Sequence, residues 1–97
     1  MIDPDLLLQA YRLGVFPMAL ENGEIGWFSP DPRTILPLEG FHVPLGLRRE
    51  RQRQGFGIRI DTAFEQVMRA CADRADTWIN QEIVASYLRL HELGCAH

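Results

Sequence analysis

Ninety-seven residues, 46% hydrophobic and 24% charged, describe an ordinary globular chain and exclude a disordered, fibrous or collagen-like one. A chain of this size buries only roughly 60–65% of the surface it exposes when unfolded, so thin stability is expected. No apolar run approaches the ~18 residues that span a bilayer, and the opening Met1-Ile2-Asp3-Pro4-Asp5 lacks the basic region of a signal peptide, so the expected compartment is the cytoplasm.

Net charge is −3, but the charge is uneven. All ten cationic side chains are arginine. Residues 1–47 hold six acids against two arginines, residues 48–60 five arginines against Glu50, and residues 61–97 six acids against three arginines. An acidic chain thus carries one basic island, and a local cluster, not the average, is what contacts phosphates.

Asp3 before Pro4 has the form of an N-cap with proline at the first helical position, and Leu6, Leu7, Ala10 and Tyr11 follow at helical spacing up to Gly14. From Val15 to Pro37 proline and glycine recur every few positions, which rules out a long helix and predicts turns and short strands. Arg33-Thr34-Ile35-Leu36 reads as a strand. Pro44 opens a polar helical stretch that runs through the arginines to Gly55 and Gly57, and Ile58-Arg59-Ile60 alternates like an edge strand. Asp61 stands where an N-cap belongs, ahead of a helix whose apolar face is Phe64, Val67, Met68 and Cys71, a face expected in the core. Asn80 caps a last helix with Ile83, Val84, Tyr87, Leu88 and Leu90 on its buried side and Gly94 as its stop, and Cys95-Ala96-His97 reads as the start of a strand. The result is an α+β fold without internal repeats.

Few residues suggest chemistry. Cys71 and Cys95 form no CxxC pair and read as reduced thiols, and His42, His91 and His97 lack metal-ligand spacing, so no metal is expected. Asp31 in Ser29-Pro30-Asp31-Pro32 reads as a turn residue. Trp78 follows the loop Asp73-Arg74-Ala75-Asp76 and precedes the cap of the last helix; it is either a lid on the core or a flat platform for a base. Trp27-Phe28 invites the same thought, although adjacent aromatics on a strand face opposite ways and one of them belongs to the core. Arg48, Arg49, Arg51 and Arg53 have one acid among them, so pairing within the helix cannot neutralise the run. A solvated helix is the usual meaning of such a run and phosphate contact the sharper one.

Leu8-Gln9-Ala10-Tyr11-Arg12-Leu13-Gly14-Val15-Phe16-Pro17, then Trp27-Phe28-Ser29-Pro30-Asp31-Pro32-Arg33, resembles the opening of the leucyl/phenylalanyl-tRNA-protein transferases. Ala63-Phe64, Thr77-Trp78-Ile79 and Leu90-His91-Glu92-Leu93-Gly94-Cys95-Ala96-His97 continue that family's pattern in order. The resemblance implies a small N-terminal α/β portion over residues 1–32, followed from residue 33 to 97 by the first half of an acetyltransferase-like domain. It implies transfer of leucine or phenylalanine, methionine less well, from leucyl-tRNA or phenylalanyl-tRNA to proteins with N-terminal Arg or Lys, marking them for degradation as N-degrons, without a cofactor. The family's catalytic Asp and Gln are expected downstream of His97, so no catalytic residue is assigned here, and residues 1–97 alone are expected to be inactive. Trp78 matches the tryptophan that stacks near the terminal adenosine of the aminoacyl-tRNA, and Met18 falls where some members carry a second tryptophan. Arg48, Arg49, Arg51 and Arg53 resemble the basic patch for the acceptor-stem backbone, read by phosphate and shape. The competing reading is a stand-alone tRNA- or RNA-binding module without catalysis.

Overall fold

The computed structural model describes residues 1–97 and is mixed α and β: α1 Pro4–Arg12, β1 Phe16–Ala19, β2 Ile25–Phe28, α2 Leu45–Gln54, α3 Phe64–Ala72 and α4 Gln81–Glu92. The chain divides into two compact units, Met1–Ser29 with Ile60–His97, and Pro30–Arg59. No helix is long and apolar enough to cross a membrane.

In the first unit, local signals set the helix ends. Asp3 Oδ1 accepts from the amides of Asp5 and Leu6 at 3.0 and 3.1 Å, satisfying two donors that α1 leaves open, and Pro4 needs none. Asn80 Oδ1 takes the Ile83 amide at 2.9 Å in the same role for α4. Both helices end alike. Gly14 (φ 75°) and Gly94 (φ 73°) adopt the left-handed conformation that a side chain resists, and the amide of the next residue folds back, Val15 onto Ala10 O at 2.9 Å and Cys95 onto Leu90 O at 2.8 Å. That closure is why Cys95-Ala96-His97 does not start a strand as expected: the Cys95 amide is used up in the cap.

β1 and β2 form an antiparallel hairpin, with Phe16 opposite Phe28 and Met18 opposite Gly26. Asn22 Oδ1 takes the Glu24 amide at 3.0 Å, and Leu20 and Glu24 close the turn at 2.8 Å. Gly26 sits in a crowded place: a Cβ there would lie 2.9 Å from the Phe28 ring and 3.0 Å from Leu20 Cδ2, so those side chains would have to shift. Phe28 is half-buried and Trp27 more open, the division expected of neighbours on a strand.

The element on which the others converge is α4, packed by α1, α3 and β1. Ile2, Leu7, Ile83 and Leu90 form the buried cluster, with Leu8, Ile25, Met68, Ile79 and Tyr87 against it. Each such aliphatic side chain, fully buried, contributes about 1.5–3 kcal/mol. Ser86 is the one buried polar residue; its Oγ accepts the Ile2 amide at 2.8 Å and donates to Glu82 O at 2.7 Å, tying the chain start to α4. Tyr11 and Tyr87 bond through their hydroxyls with rings edge to face, and burial, then the Tyr11 hydroxyl, pushes the Tyr87 phenol above its ordinary range.

The approach to α3 differs from expectation. Ala63, not Asp61, is the N-cap, and it makes no side-chain cap. Asp61 sits at φ 62° with its carboxylate 2.9 Å from His97 Nδ1, so it is spent on a partner 36 residues away. The expected core face of α3 is half realised: Phe64, stacked on His91 with centroids 4.2 Å apart, and Met68 are partly buried, whereas Val67 is 57% exposed and Cys71 is exposed. Both cysteines are free thiols.

The second unit has one regular element. Pro44 precedes α2, and Gly55 (φ 64°) ends it with its amide on Arg51 O at 3.1 Å. The strand expected at Arg33–Leu36 is absent, as is the one at residues 58–60. Neither segment has a neighbouring strand to take its amides and carbonyls, and Ile35, Leu36, Ile58 and Ile60 are exposed. Alternation by itself does not make a strand without a partner. Within Pro30–Arg59 every residue but Val43 is exposed, and none is buried.

Candidate functional site

The candidate site residues fall into both units. In the first, Trp78 sits in the loop between α3 and α4, held by its backbone: its carbonyl accepts the Ala19 amide at 3.0 Å, and Thr77 Oγ1 accepts the Ile79 amide at 3.1 Å. The loop before α4 is therefore stitched to β1 at the residue after Met18. The indole itself is 46% exposed. Met18 is half-buried on β1, an apolar packing residue beside that attachment.

Trp78 lines an open groove of about 410 Å³ with Ala19, Leu20 and Glu21 of the hairpin and with Arg74 and Asp76 of the same loop. The volume is in the range of about 300–1,000 Å³ usual for small-molecule sites. One tryptophan, one arginine and two acidic residues are among those that line it.

In the second unit, α2 carries the basic island. At 3.6 residues per turn, Arg48 and Arg51 lie on one side of the helix and Arg49 and Arg53 on another. Arg51 and Arg53, in the last turn, favour the helix dipole. The four are not equivalent. Arg53 Nη2 donates to both oxygens of Glu50, at 2.8 and 3.0 Å, and Gln54 Nε2 adds a third bond at 2.9 Å; Arg53, then Gln54, holds the Glu50 carboxyl below its usual range. Arg48, Arg49 and Arg51 form no ion pair, leaving three guanidinium groups for an outside anion. Arg48 and Arg51 also flank a cleft of about 370 Å³ shared with Leu47 and Phe56. Phe56, an aromatic soon after the arginine run, is 69% exposed.

The first unit thus presents a half-exposed tryptophan, and the second three arginines without an ion pair. A family profile described as leucyl/phenylalanyl-tRNA protein transferase matches residues 35–97, and the N-terminal domain profile of the same family matches residues 1–31. The chain belongs to the leucyl/phenylalanyl-tRNA protein transferase family. Curated relatives carrying the name leucyl/phenylalanyl-tRNA–protein transferase agree along nearly its whole length. The relative from Paramagnetospirillum magneticum is 54% identical over 96% of this chain and 47% of its own length. Those from Salinibacter ruber and Herpetosiphon aurantiacus are each 50% identical over 99% of this chain, covering 43% and 50% of their own lengths. The chain spans about half the length of the transferases it matches.

Proposed function

We propose that this chain is the tRNA-recognising portion of an aminoacyltransferase. The whole protein moves leucine or phenylalanine, methionine less well, from leucyl-tRNA or phenylalanyl-tRNA to the N-terminal amine of proteins that begin with Arg or Lys, committing them to degradation as N-degrons in the cytoplasm. The observation that carries this reading is the family match along both segments of the chain. In this reading residues 1–32 are the N-terminal portion and residues 33–97 open an acetyltransferase-like domain. Trp78, with Met18 beside its point of attachment, receives the terminal adenosine. Arg48, Arg49 and Arg51 contact acceptor-stem phosphates, and Arg53 contributes less because Glu50 occupies it.

The reaction needs no activating cofactor, because the aminoacyl ester is already a reactive acyl donor. What remains for the protein is to hold the adenosine end still, bring the attacking amine into line and stabilise the charge that develops on the carbonyl oxygen. Trp78, whose carbonyl accepts the Ala19 amide in a loop closed by the hydrogen bond from the Ile79 amide to Thr77 Oγ1, serves the first task. The groups that serve the others, the family's Asp and Gln, are assigned to no residue of 1–97.

The test joins residues 1–97 to the remaining portion of the Paramagnetospirillum magneticum transferase and follows labelled phenylalanine from its tRNA to an Arg-starting peptide. Transfer is expected. Trp78→Ala should cost on the order of 1–3 kcal/mol, the range for a stacked base, with phenylalanyl-adenosine as donor as well as with tRNA. Replacing Arg48, Arg49 and Arg51 by Gln should impair only the tRNA reaction and flatten its log–log salt dependence by roughly 0.7–0.9 for every phosphate left without its arginine. A chimera that binds tRNA but transfers nothing, beside an active natural relative, would mark the chain as a binding module. Equal impairment of the arginine variant on phenylalanyl-adenosine would make the basic helix structural.

A further inference from the structure

The groove beside Trp78 has a charge pattern that stacking does not account for. Arg74 is its only cationic wall residue, and it forms no ion pair although Asp73 and Asp76 flank it in the chain. Elsewhere, the arginines of α3 and α4 take carboxylates on their own helices, Arg69 with Glu65 at 2.7 Å and Arg89 with Glu92 at 3.0 Å. The Arg74 amide donates to Ala72 O at 2.9 Å, its side chain has no ion-pair partner, and the residue lines the groove.

We infer that Arg74 is the seat of the single phosphate on the 5′ side of a nucleotide whose base stacks on Trp78. The inference rests on the reading of Trp78 as a base plate and adds a second residue to it. A nucleotide is a flat apolar ring joined through a ribose to one anionic group, and the groove offers a flat apolar wall and one guanidinium, a group suited to phosphate because its planar fork presents paired donors. Glu21 and Asp76 leave the groove net negative, so it is no general anion trap. A second phosphate would meet carboxylates, whereas ribose hydroxyls and ring amines have acceptors there. The groove therefore suits a nucleoside monophosphate unit and not a di- or triphosphate.

The measurement is indole fluorescence of the 97-residue chain carrying Trp27→Phe, so that Trp78 reports alone, titrated with adenosine and with adenosine 5′-monophosphate. Both should quench, and the monophosphate should bind about threefold more tightly at low salt, the size of one exposed ionic contact. The advantage should shrink as salt shortens the screening length. Arg74→Gln should make the two ligands equal while leaving adenosine unchanged, Arg74→Lys should keep part of the difference, and Asp76→Asn should enlarge it by removing a repelling charge. Equal binding of both ligands by the parent, with quenching intact, would overturn the role of Arg74 and leave the base plate standing. Absence of quenching by either ligand would overturn the plate and the phosphate seat together. Should Arg74→Gln lose helicity, the Lys and Asp76→Asn variants carry the test, and an unchanged ratio in both overturns it.

Discussion

The two compact units of this chain solve opposite problems. Met1–Ser29 with Ile60–His97 has a buried cluster, capped helices and a serine that stitches the chain start to α4. Pro30–Arg59 has a well-terminated helix and no buried residue, with Leu38 and Ile58 at 86% and 91% exposure. The first unit anchors the main chain of Trp78 through the Ala19 amide. The second presents charge on a helix whose three unpaired arginines repel one another with no core to oppose the strain. Stacking needs a fixed plate; phosphate contact tolerates a mobile one. The contrast therefore matches each unit to the contact proposed for it.

The largest expected effect separates the units by stability. Leu7→Ala removes a side chain with no exposure and should cost about 2–5 kcal/mol, whereas Leu47→Ala, on an exposed side of α2, should stay within about 0.5 kcal/mol. Urea titration of both variants checks this; equal losses would place the second unit in a shared core. A smaller effect is confined to the first unit and appears at alkaline pH. The folded-state pKa of Tyr87 is raised above its ordinary value of 10.0, so the folded form keeps a proton that the unfolded chain releases. Stability is then intact below about pH 10 and falls as pH rises beyond it, by up to about 1.4 kcal/mol per pH unit for one proton. Tyr87→Phe should remove that dependence while leaving the neutral-pH fold in place.

How much of this was readable beforehand follows from the range of each signal. Asp3, Asn80, Gly55 and Gly94 act within a few residues of themselves, so α1, α2 and α4 could be placed from local chemistry, caps included. Strand pairing is not local. Residues 33–36 and 58–60 have the composition of strands and no partner, while the hairpin at 16–28, anticipated only as turns and short strands, formed because Asn22-Gly23 turns the chain back on itself. Asp61 has the right identity for an N-cap, but its carboxylate is claimed by His97, which no window around residue 61 contains. Ser86 was missed for the same reason, since its partner is Ile2. At the candidate site, Trp78 and the arginines stood out by type and by resemblance. Arg74 did not, because an arginine among aspartates reads as a paired residue until its lack of an ion pair is seen.

The smallest expected effect sharpens the view of the second unit. Glu50→Gln removes the acid that occupies Arg53 and should steepen the log–log salt dependence of tRNA binding by about 0.7–0.9, the increment of one further phosphate neutralised. The pH dependence has the corresponding sign. Arg53 and Gln54 depress the folded-state pKa of Glu50, so the pairing is fully present above the ordinary value of 4.5 and is lost as pH falls through the depressed one, releasing Arg53. An unchanged salt slope in Glu50→Gln would mean that Arg53 faces away from the nucleic acid whether paired or not.

Amide hydrogen exchange on the 97-residue chain, free and with tRNA, tests the division between the units most directly. In the free chain, amides of Leu7, Ile83 and Leu90 should exchange slowest and those of Pro30–Arg59 near the rate of an unfolded peptide, since opening a unit without buried apolar contacts costs little. Added tRNA should slow exchange along α2, where phosphates relieve the repulsion among Arg48, Arg49 and Arg51, by a larger factor than along α4. Protection of α2 in the free chain equal to that of α4, or exchange along α2 indifferent to tRNA, would contradict the division.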